Sequence, residues 1–114
     1  MLIAADWQFR RLVYAQLLEE GYTVLALPAL ETALTYLLRG GELSCLTVLD
    51  LQGQEVTGQQ LKELAQLTNQ APLILCGGAM DRATLTLGGL PPAKVLLRPF
   101  TVGDLVHEVR RVLS

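Results

Sequence analysis

The sequence predicts an α/β domain: a doubly wound, five-stranded parallel sheet in the order 2-1-3-4-5 with helices on both faces. Three observations carry this. Short apolar runs of strand length alternate with stretches whose apolar residues recur at helical spacing through all 114 residues. The runs lack polar alternation, the mark of strands covered on both faces. Glycine and proline punctuate the joints, and strands separated by helices imply right-handed crossovers and a parallel sheet.

The first strand is expected around residues 2–5. A helix follows over roughly 8–20, with Phe9, Leu12, Val13, Leu17 and Leu18 inward and Gly21 as its stop. Thr23-Val24-Leu25-Ala26-Leu27 reads as the second strand, closed by Pro28. The second helix covers roughly 29–39, with Leu30, Ala33, Leu34, Leu37 and Leu38 inward, and Gly40-Gly41 end it. Residues 46–51 form the third strand, followed by the polar loop Gln52-Gly53-Gln54-Glu55. Gly58 precedes a third helix over roughly 59–69. Pro72 opens the fourth strand, Leu73-Ile74-Leu75-Cys76, which runs into Gly77-Gly78.

Between 79 and 92 the pattern weakens. Met80 to Leu87 reads as a short helix weakened by Thr84 and Thr86, and Gly88-Gly89 and Pro91-Pro92 break the chain. The fifth strand is 94–97. Thr101-x-x-Asp104 is an N-terminal capping pattern, and the last helix runs to about Leu113 with Leu105, Val106, Val109, Val112 and Leu113 buried.

Composition narrows the function classes. The length suits one domain, residues 1–114, with one core. Apolar residues make up 51% and charged ones 18%, yet no apolar stretch approaches the ~20 residues of a membrane helix. No basic n-region or cleavage site precedes the first strand, so a cytoplasmic domain is expected. The net charge is −2 with scattered cations, which does not suggest a nucleic-acid surface. Cys45 and Cys76 fall at opposite ends of their strands, so reduced thiols are expected. No phosphate-binding glycine loop follows the first strand, and no nucleophile–histidine pair is suggested, so a non-enzymatic role is expected.

The chemistry gathers at strand ends. Asp50 closes Leu46-Thr47-Val48-Leu49, Asp6 closes Leu2-Ile3-Ala4-Ala5, and Arg98 closes Lys94-Val95-Leu96-Leu97. A charge is costly inside a strand buried on both faces, so each should sit at the C-terminal edge, where open parallel sheets bind ligands. The order 2-1-3-4-5 is the flavodoxin-like arrangement, and it makes the first and third strands neighbours, setting Asp6 beside Asp50. Two adjacent carboxylates recruit a hard cation such as Mg²⁺, with the Gln52 backbone carbonyl as a third oxygen. A carboxylate beside Mg²⁺ can attack a phosphoryl group, whose oxygens a nearby cation would pair.

With these motifs the whole chain, residues 2–113, resembles the receiver domains of bacterial two-component response regulators. The resemblance matches Ala5-Asp6 to the family's acidic pair, Asp50 to its phosphoacceptor and Gly58 to the glycine after the third-strand loop. Gly77 falls at its Ser/Thr position and Arg98-Pro99-Phe100 at its Lys-Pro-Phe. It implies a phosphorelay domain, a cis peptide before Pro99, and Mg²⁺ held by Asp6, Asp50 and Gln52. It also implies a histidine kinase or phosphotransfer protein upstream and an output domain or partner protein downstream. Partner contact, including a homodimer, is implied for residues 79–113.

The chain departs from that pattern at four positions. Ala5 removes one acidic partner, Gly77 the responding hydroxyl, and Val95 the switching aromatic; Arg98 replaces the lysine with a planar fork. Two readings stay open. In one, Asp50 accepts a phosphoryl group to control protein–protein interaction. In the other, the domain is a phosphorylation-independent protein-binding module in which Arg98 pairs directly with Asp50. Blander roles stand beside these: Asp6 as a helix N-cap, Trp7 and Phe9 as core or partner contacts, His107 as a surface or packing residue, and Cys76 as a small core residue.

Overall fold

The computed structural model describes residues 1–78 and 94–114. Five strands, β1 (Leu2–Ile3), β2 (Ala26–Leu27), β3 (Thr47–Asp50), β4 (Leu73–Gly77) and β5 (Lys94–Leu97), form one parallel sheet in the order β2-β1-β3-β4-β5. The helices are α1 (Trp7–Glu19), α2 (Leu30–Leu38), α3 (Gly58–Leu67) and α4 (Val102–Leu113). The short helix expected over Met80–Leu87 lies outside the described residues.

Successive strand residues point to opposite faces, and this sorts the core into two layers. Ile3, Leu49 and Leu75 pack with Leu30, Ala33, Leu34, Leu37, Leu61 and Leu64 of α2 and α3. Leu2, Val48, Ile74 and Cys76 pack on the other face with Val13 and Leu17 of α1 and Leu105, Val106 and Val109 of α4. Each fully buried Leu, Ile or Val contributes about 1.5–3 kcal/mol. Both cysteines are free, Cys45 exposed and Cys76 buried.

Three leucines expected to face inward do not. Leu12 is 60% exposed, Leu18 43% and Leu38 69%. The buried seam of α1 runs through Val13 and Leu17, four residues apart; Leu12 and Leu18 lie roughly 100° to either side of it. Leu38 stands in the same relation to buried Leu37 at the end of α2. The expected strand over 23–27 shortens to its last two residues, because β2 is an edge strand meeting only β1, itself two residues long.

Helix ends follow local chemistry. The Thr101 side chain accepts from the Asp104 N–H and the Asp104 carboxylate from the Thr101 N–H, the capping box expected there. A second box, Thr57 with Gln60, starts α3. It makes Thr57 the cap and places Gly58 inside the helix rather than before it. Helix α3 stops at Leu67, earlier than expected, because Asn69 and Gln70 turn left-handed with φ of 57° and 62°.

Candidate functional site

Asp50 is the last residue of β3 and is fully buried. A buried carboxylate needs partners, and Arg98 supplies them. Arg98 follows β5, and its Nη1 donates to Asp50 Oδ1 at 2.9 Å while its Nη2 donates to Oδ2 at 2.8 Å. This is a bidentate fork, a geometry that lysine cannot make. The Arg98 N–H donates to the Gly77 carbonyl at 2.8 Å, anchoring the arginine backbone across β4.

Two aromatic rings hold the guanidinium. Its central carbon lies 5.2 Å from the Phe9 centroid and 5.0 Å from the Phe100 centroid. The two rings meet edge to face, 6.0 Å apart at 74°. Cation–π contact of this kind adds about 0.5–1 kcal/mol at exposed sites and more where water is excluded. The peptide Arg98–Pro99, which precedes Phe100, is cis.

The loop after β3 is tied down from two sides. The Gln52 N–H donates to Asp50 Oδ1 at 3.2 Å. The Gln54 side chain donates to the Asp50 carbonyl at 2.7 Å and accepts from the Leu30 N–H at 2.9 Å. Gln54 thus caps α2, whose own N-cap residue, Ala29, makes no side-chain cap bond. Gly53 has φ of +77°, and a Cβ there would meet the Ala5 Cβ at 3.3 Å. Glycine therefore suits both the left-handed backbone of Gly53 and its close approach to Ala5.

Asp6 is exposed and caps α1: its Oδ1 accepts from the Gln8 N–H at 2.9 Å and the Phe9 N–H at 3.3 Å. Asp6 Oδ1 is engaged with its own helix and both Asp50 oxygens with Arg98, while Ala5 offers no carboxylate. Among the described residues no three His, Cys, Asp or Glu side chains gather in a way that could hold a metal ion. With Arg98 in place these residues do not fit a bound Mg²⁺, since a divalent cation at Asp50 would have to displace the guanidinium. Gln52 meets Asp50 through its N–H.

Burial also fixes Cys76, the residue opposite Asp50 in the β3–β4 ladder. Desolvation, with the Asp50 charge adding to it, pushes its thiol up to about 12, so it stays neutral and inert. Trp7 is 57% exposed and His107 lies on the surface.

Sequence reasoning brought Asp50, Asp6 and Arg98 to one sheet edge but missed the aromatic clamp and the Gln54 bridge. Phe9 sits three residues beyond Asp6, and Phe100 two beyond Arg98. That spacing after two strand ends was the available signal.

The fold is shared with solved structures, receiver domains among them. Over 98% of this chain and 95% of the other, it superposes on the receiver domain of NtrX from Brucella abortus with a TM-score of 0.76 at 21% identity. A response regulator from Thermotoga maritima aligns over 99% and 94% with a TM-score of 0.77 at 17% identity. An adenylate cyclase from Rhodopirellula baltica aligns over 98% and 84% with a TM-score of 0.80 at 12% identity. No family model matches the sequence, and no curated protein matches it. At these identities the likeness concerns architecture, and the architecture is clear: the chain has the receiver-domain fold of response regulators.

Proposed function

We propose that this receiver-fold domain is a signalling module that binds a partner protein without phosphorylation of Asp50. The carrying observation is the bidentate Arg98–Asp50 pair, which engages both carboxylate oxygens. Phosphoryl transfer needs one of those oxygens free to attack phosphorus as the donor's leaving group departs. Here the attacking atom is buried and already bonded to a charge. Gly77, Val95 and Ala5 support the same reading, because the groups that would report or stabilise a phosphoryl adduct have no counterparts there.

The partner implied is an output domain or separate protein that recognises the domain's surface. A histidine kinase or phosphotransfer protein enters only if Arg98 can be withdrawn. Residues 94–113 of the proposed homodimer face are described; 79–93 lie outside the described residues.

The test is incubation with a small phosphodonor and Mg²⁺, read by intact mass on the native chain, Asp50→Asn and Arg98→Ala. The expected outcome is no adduct on the native chain. A phosphoryl adduct on it, absent in Asp50→Asn, would overturn this reading and establish the phosphorelay role.

A further inference from the structure

A second surface lies away from the Asp50–Arg98 pair, along the free edge of the sheet. Strand β2 is terminal in the sheet order. The Leu2 N–H donates to the Leu25 carbonyl and the Ala4 N–H to the Leu27 carbonyl, so residues 25 and 27 face β1. By alternation, Val24 and Ala26 turn their N–H and C=O groups outward, with no strand beside them among the described residues. Unpaired edge groups of this kind are a template for an added strand.

Helix α1 overhangs this edge. A shallow groove of about 470 Å³ runs between them, lined by Trp7, Arg10, Arg11, Tyr14, Val24, Leu25 and Ala26. Trp7, Arg11, Tyr14 and Leu18 recur at spacings of four, three and four, which sets them on one stripe of the helix. Trp7, Tyr14 and Leu18 are exposed there, 57%, 37% and 43%. The groove carries two cations and no carboxylate. Arg98, Arg110 and Arg111 each have a carboxylate partner. Among the described residues neither Arg10 nor Arg11 has one; the Arg10 Nη1 donates to the Ala4 carbonyl instead.

We infer that the β2 edge and the α1 overhang bind an extended, acidic segment of a partner protein. The segment adds to the sheet through Val24 and Ala26, sets its carboxylates on Arg11, and lays apolar side chains against Trp7 and Tyr14. Charge complementarity selects the occupant: the cations of the groove have no internal acid to satisfy them. This names the surface through which the protein-binding reading of the previous subsection would operate, and it rests on that reading.

The test uses the full chain and a short dye-labelled peptide repeating valine-threonine-glutamate-threonine, which puts its valines and glutamates on one strand face, with lysine replacing glutamate in its basic counterpart. Binding is followed by anisotropy, by the fluorescence of Trp7, the chain's one tryptophan, and by amide exchange. The acidic peptide should bind, perturb Trp7 and slow exchange at Val24 and Ala26. Arg11→Glu, at an exposed position, should weaken it about tenfold. Equal binding of the basic peptide, an unaffected Arg11→Glu variant, or unprotected Val24 and Ala26 amides would overturn the assignment. So would capture of the same face by phosphatidylserine vesicles or by a second copy of the chain, seen by light scattering, without peptide binding. The phosphodonor experiment separates the two failures. An Asp50 adduct sinks the closed-site reading and leaves a positive peptide result standing. An absent adduct with no peptide binding sinks the β2 surface alone.

Discussion

Asp50 and Cys76 are register partners across β3 and β4, so a carboxylate and a thiol share one buried position at the sheet edge. Only the carboxylate is supplied with a counter-charge, from Arg98 just after β5. The site is therefore ionic on one side and neutral on the other, and several measurable consequences separate along that line.

Arg98→Ala strands the Asp50 charge in the interior. Breaking a buried pair costs about 3–5 kcal/mol, and the partial exposure of Arg98 brings the expected loss to roughly 2–3 kcal/mol. Replacing both residues, Asp50→Leu with Arg98→Met, should recover most of it. Urea unfolding of Asp50→Leu, Arg98→Met and the double variant measures the coupling. Strictly additive losses would contradict a shared ion pair.

Asp6→Ala removes the N-cap of α1 and should cost about 1 kcal/mol. The loss should be the same with and without Mg²⁺, because what is removed is the pair of helix-capping bonds accepted by Asp6 Oδ1. Thermal unfolding in both conditions decides this; a loss seen only with Mg²⁺ would assign Asp6 to a metal.

Iodoacetamide at neutral pH should modify exposed Cys45 and spare Cys76 until the chain is denatured, as read by peptide mass. Cys76 also predicts an alkaline limb. Its thiol is raised from an ordinary 9.0 to about 12 in the folded chain. The unfolded chain therefore releases that proton first, and stability falls as pH rises from 9 towards 12. Cys76→Ala should flatten that limb.

Glu20 and Arg110 join α1 to α4: Arg110 Nε donates to Glu20 Oε2 at 2.9 Å, and Nη2 contacts Oε1. The guanidinium holds the Glu20 carboxyl below its ordinary 4.5. Its stabilisation is present above that value and is lost as pH falls through the lowered one. Glu20→Gln should make the acid limb of thermal unfolding shallower, modestly because the pair is exposed.

Much of this architecture is written in local pattern. The runs ending in Asp6 and Asp50 are almost wholly apolar because β1 and β3 are buried central strands, whereas the half-buried terminal strand before Arg98 opens on Lys94; three runs each closing on a charge place those charges at one edge. Helical spacing was less decisive. It could not separate the Val13–Leu17 seam from flanking Leu12 and Leu18, because neighbours on a helix differ by only a fraction of a turn. The Thr57–Gln60 box was readable, but Gly58 between the two residues suggested a loop. The clamp of Phe9 and Phe100 on Arg98 was not readable, since it joins side chains distant in sequence whose meeting depends on the tertiary placement of α1. Gln54 escaped for the same reason: its partners, Asp50 and Leu30, come together only when β3 and α2 pack.

The guanidinium seated against two phenyl rings also bears on what such a domain can encode. A site that opens and closes with phosphate reports a ratio, the fraction of molecules modified at a given moment. A site filled by the chain's own side chain has no such fraction to report. Its message would be carried by abundance: how many copies are made, how long they last, and how many partner molecules compete for them. Control would then move from the seconds of a chemical modification to the slower clock of synthesis and turnover.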